Sequence, residues 1–371
     1  MELKLQQLLY FQNKLPFFSV RFSSIFEQNF SMAKILVTGG AGFIGSHTVV
    51  NLVEAGFDPI IVDDFSNSEI RIIEGIQDLT GKSVSFYQID CTDKSALRKV
   101  FEKEKNIQGV IHFAAFKAVG ESVEQPLKYY RNNVGSLVTL LEVMHEFSVP
   151  NIVFSSSCTV YGNPDKLPVV EDHPANRATS PYGNTKIICE HIIKDTAKSG
   201  QRLNAVLLRY FNPIGAHPSG KIGELPLGVP NNLVPFITQT AAGWRQQLTV
   251  YGNNYDTPDG TCIRDYIHVM DLADAHISAL KWALSQRRPA TEIFNIGTGQ
   301  GNSVMDVINT FESINGVQLN YRIGQKRSGD VASVYGQVDK AKQILNWQAK
   351  RSMSDALKDA WHWQNNLEEV I

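Results

Sequence analysis

From Lys34 onward the chain alternates two hydrophobic patterns. Short runs, apolar at consecutive positions and rich in β-branched residues, fall at 35–38, 60–63, 84–88, 110–113, 152–155 and 205–209. Runs of that length suit strands buried on both faces of a parallel sheet, where neither face needs polar side chains. Between them, apolar positions recur at helical spacing at about 44–55, 94–105, 121–146 and 182–199. Strand and helix in alternation predict a doubly wound α/β domain over 34–211.

Beyond residue 211 the texture changes. Residues 212–231 are rich in Pro and Gly and read as a long loop leaving the sheet. Helices are predicted at about 232–243, 271–285, 303–315 and 354–366, with short strands at 248–251, 293–296 and 318–323. Residues 212–371 are thus expected to form mainly a smaller mixed α/β lobe, with 271–296 returning to the first domain. The first 33 residues follow neither pattern. Their apolar clusters are broken by polar residues, which speaks against a signal-peptide core. A transit peptide stays open as an alternative, although basic residues are scarce and Glu2 and Glu27 are present. The expectation is a dispensable leader, disordered or the product of an upstream start codon, with Met32 standing just before the first strand.

Composition narrows the class. A length of 371 residues suggests two domains, and 43% hydrophobic with 19% charged residues supplies a substantial core. A net charge of −2 leaves no basic footprint for nucleic acid or an anionic membrane. No stretch approaches the ~20 apolar residues of a membrane span. Cys91, Cys158, Cys189 and Cys262 are widely spaced and read as reduced thiols of a cytoplasmic protein. No histidine has a partner at metal-ligand spacing, so no metal site is expected.

The candidate chemistry collects at predicted strand ends. Thr38-Gly39-Gly40-Ala41-Gly42-Phe43-Ile44-Gly45 follows the first strand and opens a helix. Glycines at 39, 42 and 45 permit a tight turn, close approach to a pyrophosphate, and close packing of helix on strand. The helix N-terminus then offers free N–H groups and its dipole to phosphate. With Asp63 ending the next strand, this is a Rossmann-type dinucleotide site. A carboxylate there accepts ribose hydroxyls and repels a 2′-phosphate, which favours NAD over NADP. Asp90-Cys91 beside the adenine, and Phe113-Ala114-Ala115 with Lys117, complete the expected site at two further strand ends.

Ser180-Pro181-Tyr182-Gly183-Asn184-Thr185-Lys186 reads as a helix start: a hydroxyl N-cap, then a proline whose missing N–H costs nothing there. Tyr182 falls in the first turn and Lys186 lies four residues on, on the same face. The ordinary tyrosine pKa is about 10. A helix dipole and a neighbouring ammonium are expected to lower it toward the range of a general base. Ser157, at the end of the fifth strand, can share a hydrogen bond with an alcohol that Tyr182 deprotonates, whereas Ser155 and Ser156 read as strand-end caps.

The glycine loop, the strand-end serine and the Tyr-x-x-x-Lys pair resemble the extended short-chain dehydrogenase/reductase superfamily. Longer stretches are more specific: His112-Phe113-Ala114, Lys117-Ala118-Val119-Gly120-Glu121-Ser122, Arg209-Tyr210-Phe211-Asn212-Pro213, Gly215-Ala216-His217-Pro218-Ser219-Gly220, Pro230-Asn231-Asn232-Leu233 and Arg264-Asp265-Tyr266-Ile267-His268-Val269. These resemble the UDP-glucose (UDP-galactose) 4-epimerase family over about residues 34–363. The resemblance implies reversible 4-epimerisation with bound NAD. Tyr182 as phenolate would take the proton of the sugar 4-hydroxyl while C4 yields a hydride. Lys186 and the positive nicotinamide would lower the tyrosine pKa, and Ser157 would aid proton transfer. The 4-keto sugar would turn over and recover its hydride on the other face. Related 4,6-dehydratases need a carboxylate just after the strand-end hydroxyl, where this chain has Cys158-Thr159-Val160.

The same resemblance implies further cofactor contacts at Phe43, Ile44, Asn67, Asn132, Ser155 and Tyr210. On the substrate side it implies Arg264 and Arg327 on the pyrophosphate, Asn212 and Asn232 on phosphate or sugar, Asp330 on the uridine ribose, and Tyr251 by the uracil. Phe211 and Leu233 would line the pocket, and Lys117 and Tyr210 the nicotinamide and sugar region. Four residues after Asp330, a bulky tyrosine narrows the pocket in some family members. Val334 stands there, or Tyr335 if the alignment slips by one, so UDP-GlcNAc and UDP-GalNAc are expected as additional substrates. Two alternatives remain at this point. One is a 4-epimerase specific for another UDP-sugar, such as an N-acetylhexosamine or uronic acid pair. The other is a non-catalytic NAD-binding regulator, a class that typically lacks the Tyr/Lys pair. A place in galactose metabolism and a homodimer, formed by the Tyr182 helix and the one at about 121–146, are also implied.

Overall fold

The structure, a computed structural model, describes residues 32–176, 178–327 and 330–368. The expected leader lies outside them except for its last two residues.

Strands β1 (Lys34–Thr38), β2 (Asp58–Asp63), β3 (Ser85–Gln88), β4 (Ile107–His112), β5 (Asn151–Ser157) and β6 (Asn204–Tyr210) share one sheet with a last strand, Ala290–Ile296. The order is β3-β2-β1-β4-β5-β6 with Ala290–Ile296 outermost. Each neighbouring pair is parallel. The consecutive apolar residues of each run divide between two helical layers. Ile35, Val37, Ile61, Val153, Val206 and Leu208 join one core, with Val49, Ile72 and Leu272 from the helices Phe43–Glu54, Arg71–Thr80 and Val269–Ser285. Leu36, Ile60, Val62, Phe154, Ala205 and Leu207 join the other, with Leu97, Leu137 and Ile193 from Lys94–Lys103, Gly135–Glu146 and Pro181–Lys198. This is the doubly wound Rossmann arrangement, with its order reversing between β1 and β4.

Two elements differ from the hydrophobic pattern. The helix expected at 121–146 is broken into Val119–Glu124, Pro126–Tyr129, a π-helical turn Tyr130–Val134 and Gly135–Glu146. Pro126 is the reason: it has no N–H to continue the ladder and pushes Gln125 out of the helical region, to φ −129° and ψ 58°. The helix Arg71–Thr80 was not expected. It buries Ile72, Ile73 and Ile76 on one face and ends at Gly81, which is left-handed at φ 65°.

The second lobe packs the helices Leu233–Ala241, Val304–Asn315 and Met353–Glu368 around Ile237, Val250, Phe311 and Leu357. Its strands are short. Asn212–Ile214 pairs with Tyr266–His268, Leu248–Tyr251 with Tyr321–Gly324, and Ile263–Arg264 lies between Asn302–Ser303 and Ser333–Val334. Val304–Asn315 starts at a capping box of Ser303 and Asp306 and stops at left-handed Gly316. The first and third of these small sheets place Asn212, Arg264 and Val334 on strands of the second lobe.

Candidate active site

The carboxyl edge between β1 and β4 carries the glycine loop. Gly39 is left-handed at φ +69°, and a Cβ there would lie 2.8 Å from the Ala114 nitrogen. A Cβ on Gly45 would run into the Gly39 carbonyl oxygen. The helix Phe43–Glu54, which carries Ile44 in its first turn, begins at Gly42 without a side-chain cap, so its first N–H groups stay available. Asp63 braces this loop: Oδ2 accepts the Ala41 N–H at 2.9 Å, while Oδ1 accepts Phe65 N–H at 3.0 Å and Ser68 Oγ–H at 2.9 Å. Burial pushes the Asp63 carboxyl above its usual range, and these donors oppose the push. Asn67 lies exposed in the turn after β2, and Asp90 accepts Thr92 N–H at 2.7 Å. Burial raises the Cys91 thiol. Phe113 packs on His276 at 4.6 Å between ring centres, next to Ala114 and Ala115, and Asn132 donates to Asn133 at 3.0 Å from the π turn.

At the end of β5 the three candidate catalytic residues come together. The Ser180 hydroxyl caps Gly183 N–H at 3.2 Å and Pro181 occupies the first turn, which fixes where Tyr182 begins its helix. Lys186, only 4% exposed, donates to the Ser155 carbonyl at 2.7 Å. Its ammonium lies 5.0 Å from the centre of the Phe154 ring and 6.0 Å from that of Tyr182. Ser157 caps a turn of 3-10 helix, Cys158–Tyr161, its hydroxyl oxygen accepting Thr159 N–H at 3.3 Å, and the same hydroxyl lies on the Tyr182 side of the strand end. The Ser155 and Tyr210 hydroxyls meet at 2.6 Å.

The expected lowering of the Tyr182 pKa needs correction. Burial pushes the phenol upward, neighbouring Tyr210 adds to this, and the Ser157 hydroxyl works the other way. A helix dipole is worth about 0.3–1 kcal/mol, whereas full burial shifts a group by up to about 3–5 pKa units. Desolvation wins. Burial also brings the Lys186 ammonium down to about 8, against the pull of Cys189 and Glu190. Beneath them His112 is driven to about 3 by burial and by Lys186, and stays neutral.

Behind this cluster lies a group that no sequence motif marked. Glu190 accepts Arg209 on both oxygens, at 2.8 and 2.6 Å, and Ser156 Oγ–H at 2.7 Å. Both side chains are 2% exposed. The signal was available, since Glu190 repeats the spacing of Tyr182 and Lys186.

On the facing lobe, Arg264 Nη2 pairs with Asp330 at 2.7 Å, and the Arg327 guanidinium lies 4.0 Å above the Tyr251 ring. The Glu224 carboxylate, also not foreseen, accepts Lys117 at 3.0 Å and Asn232 at 2.6 Å, joining the two lobes. Leu233 opens the helix that follows. Val334 is buried with Phe211, Val160 and Ile187, while the Tyr335 ring lies against Gly301. Among the described residues no cluster of three His, Cys, Asp or Glu stands ready for a metal.

A glycine cradle that a Cβ would fill, an uncapped helix start, and a buried Tyr/Lys/Ser group at one sheet edge define a nucleotide-dependent enzyme of the extended short-chain dehydrogenase/reductase type. The model of the family described as GDP-mannose 4,6 dehydratase matches residues 36–360. UDP-glucose 4-epimerase of Dictyostelium discoideum is 48% identical over 332 residues, spanning 90% of this chain and 96% of that one. The Bos taurus UDP-glucose 4-epimerase is 49% identical, spanning 89% and 96%. A crystal structure of the Stenotrophomonas maltophila enzyme with NAD and formylated UDP-arabinopyranose superposes with TM-score 0.88 at 44% identity, covering 91% of this chain and all of that one. The Bifidobacterium longum UDP-glucose 4-epimerase, solved with NAD+ and UDP, superposes with TM-score 0.88 at 43% identity over 91% of this chain and 100% of its own. The chain belongs to the UDP-glucose 4-epimerase family.

Gly45→Ala is expected to abolish retention of a dinucleotide, because the added methyl group displaces the loop. The cofactor released on denaturing the purified variant measures this, and a full complement would show that the loop accommodates the methyl.

Proposed function

We propose that the protein interconverts UDP-galactose and UDP-glucose by inversion at C4, with Tyr182 as the base. The observation that supports this most is the buried convergence of Tyr182, Lys186 and Ser157 beside the Gly39–Gly45 cradle. The cradle, Asp63 and the segment Phe113-Ala114-Ala115 would hold NAD. When bound, NAD supplies a two-electron acceptor that takes the C4 hydrogen as hydride and returns it, and its oxidised ring adds a positive charge.

The chain's own residues handle the proton. Tyr182 accepts it from the sugar 4-hydroxyl, and Ser157 shares the hydrogen bond as the proton moves. Burial makes the phenolate costly, so Lys186 has to remain charged beside it. Once the 4-keto sugar has turned, Tyr182 returns the proton to the 4-oxygen, leaving no net oxidation. Elimination lacks a partner here: the turn Cys158–Tyr161 after Ser157 carries no carboxylate. Arg264 and Arg327 would hold the diphosphate, for which a planar guanidinium suits two oxygens at once. Asp330, released from Arg264, would take the ribose, and Tyr251 the uracil face.

Val334, buried beside Phe211 and smaller than a tyrosine, supports a wider sugar range. Val123 and Leu127, 62% and 76% exposed, stand with Val119, Val138 and Ile188 on the helices of the expected dimer face. Such a stripe supports a homodimer packed through them. Four free cysteines favour a reducing cytoplasm, and no described helix is long and apolar enough to cross a membrane.

Purified protein given UDP-galactose and no added NAD should yield UDP-glucose. Tyr182→Phe should lower the rate by at least about 100-fold, the scale of a lost general base, while still retaining NAD. Undiminished turnover of that variant would remove Tyr182 from the role. UDP-GlcNAc should be turned over as well, and Val334→Tyr should suppress that reaction far more than the UDP-galactose one; equal effects on both would deny Val334 its part in selectivity. Leu127→Glu should shift the sedimenting species from dimer to monomer, and a monomeric parent protein would refute the interface.

A further inference from the structure

The helix Pro181–Lys198 places Tyr182, Lys186 and Glu190 at successive i, i+4 positions, all buried on one face. We propose that Glu190 is a positioning residue of the reaction, pinning β5 and β6 against this helix and keeping Lys186 charged beside the base. The proposal rests on the assignment of Tyr182 as that base.

The network that Glu190 anchors reaches both sides of the reacting groups. Ser156, which donates to it, lies between Ser155, whose carbonyl holds Lys186, and Ser157. Arg209, which grips it bidentately, directly precedes Tyr210, whose hydroxyl meets Ser155 at 2.6 Å. The rest of the Arg209 guanidinium is satisfied by Tyr161 Oη at 3.1 Å and the Glu171 carbonyl at 3.0 Å. Tyr161 in turn donates to Asn295 at 2.6 Å on the last strand. A buried pair of this kind holds a fold no better than a well-packed apolar pair of similar volume, so its charges point to another use.

That use lies in what surrounds Lys186. From its own helix it faces Glu190, Cys189 and Tyr182; from β4, His112; and from β5, the Ser155 carbonyl and Phe154 ring, with Tyr210 of β6 bonded to the Ser155 hydroxyl. His112 is neutral, and burial raises the Cys189 thiol to about 12. Glu190 itself faces Arg209, Ser156 and Tyr161, with Lys194 at 3.4 Å and Glu171 nearby. Among the described residues Glu190 is therefore the carboxylate that acts on the ammonium. Its negative charge favours the protonated lysine, so its loss lets Lys186 deprotonate at lower pH.

Glu190→Gln should lower kcat, leave KM within about twofold, and move the alkaline limb of the kcat–pH profile down by about one pH unit, the low end of a neighbouring-charge effect. Should the uncompensated Arg209 prevent folding, Glu190→Met with Arg209→Met removes both charges, and the limb is expected to move the same way but less, because the opposing arginine charge is lost too. A folded variant of either kind with an unmoved limb, whatever its thermal midpoint, would overturn the proposal and leave Glu190 a structural residue. Tyr182→Phe run alongside separates the two ideas, since retained turnover there refutes the base and not the anchoring of Lys186.

Discussion

In a sheet whose strands all run one way, every carboxyl end lies on the same edge, and the connections must cross back over the faces as helices. The edge above β1, β2, β4, β5 and β6 therefore gathers the glycine loop, Asp63, Phe113-Ala114-Ala115, Ser155 to Ser157 and Tyr210 from segments far apart in the chain. Parallel pairing also demands burial on both faces, and Ile35, Leu36 and Val37 of β1 are fully buried while facing alternate layers. The core and the site are thus consequences of one arrangement. The second lobe lies opposite that edge and supplies the arginines.

Desolvation is what makes the site work and also what it must overcome. Burial excludes water from Tyr182, Lys186 and Ser157, which strengthens the electrostatic interactions among them. It also opposes the charged form of Tyr182 and of Lys186. A helix dipole is too small to reverse that; full charges held close are what the proposed chemistry requires, and Glu190 and Arg209 stand as a matched pair behind the cluster. Glu224 shows the same logic at the mouth, where one carboxylate occupies both Lys117 and Asn232.

Much of this was legible in the sequence because it rests on local rules. Strand runs, the glycine loop, the Ser180 cap and the i, i+4 spacing of Tyr182 and Lys186 are short-range signals, and each appears where expected. The break at Pro126 was equally local and should have ended the helix expected across it. The helix Arg71–Thr80 was lost because only three isoleucines mark its buried face. What could not be read were long-range pairings. Glu190 and Arg209 sit on different elements, Glu224 lies in a Pro/Gly-rich loop, and the pairing of Arg264 with Asp330 spans 66 positions. The direction of the Tyr182 shift also needed the fold, since the sequence gives the neighbours on the helix but not the depth of burial.

The central claim is that the hydrogen leaving C4 is the one that returns, while Tyr182 handles only the proton on oxygen. Epimerisation of UDP-galactose in heavy water tests it most directly, with the product analysed for deuterium at carbon. UDP-glucose free of deuterium at C4 is the predicted result. Deuterium at C4 would mean that the carbon-bound hydrogen exchanges with solvent, which contradicts the account.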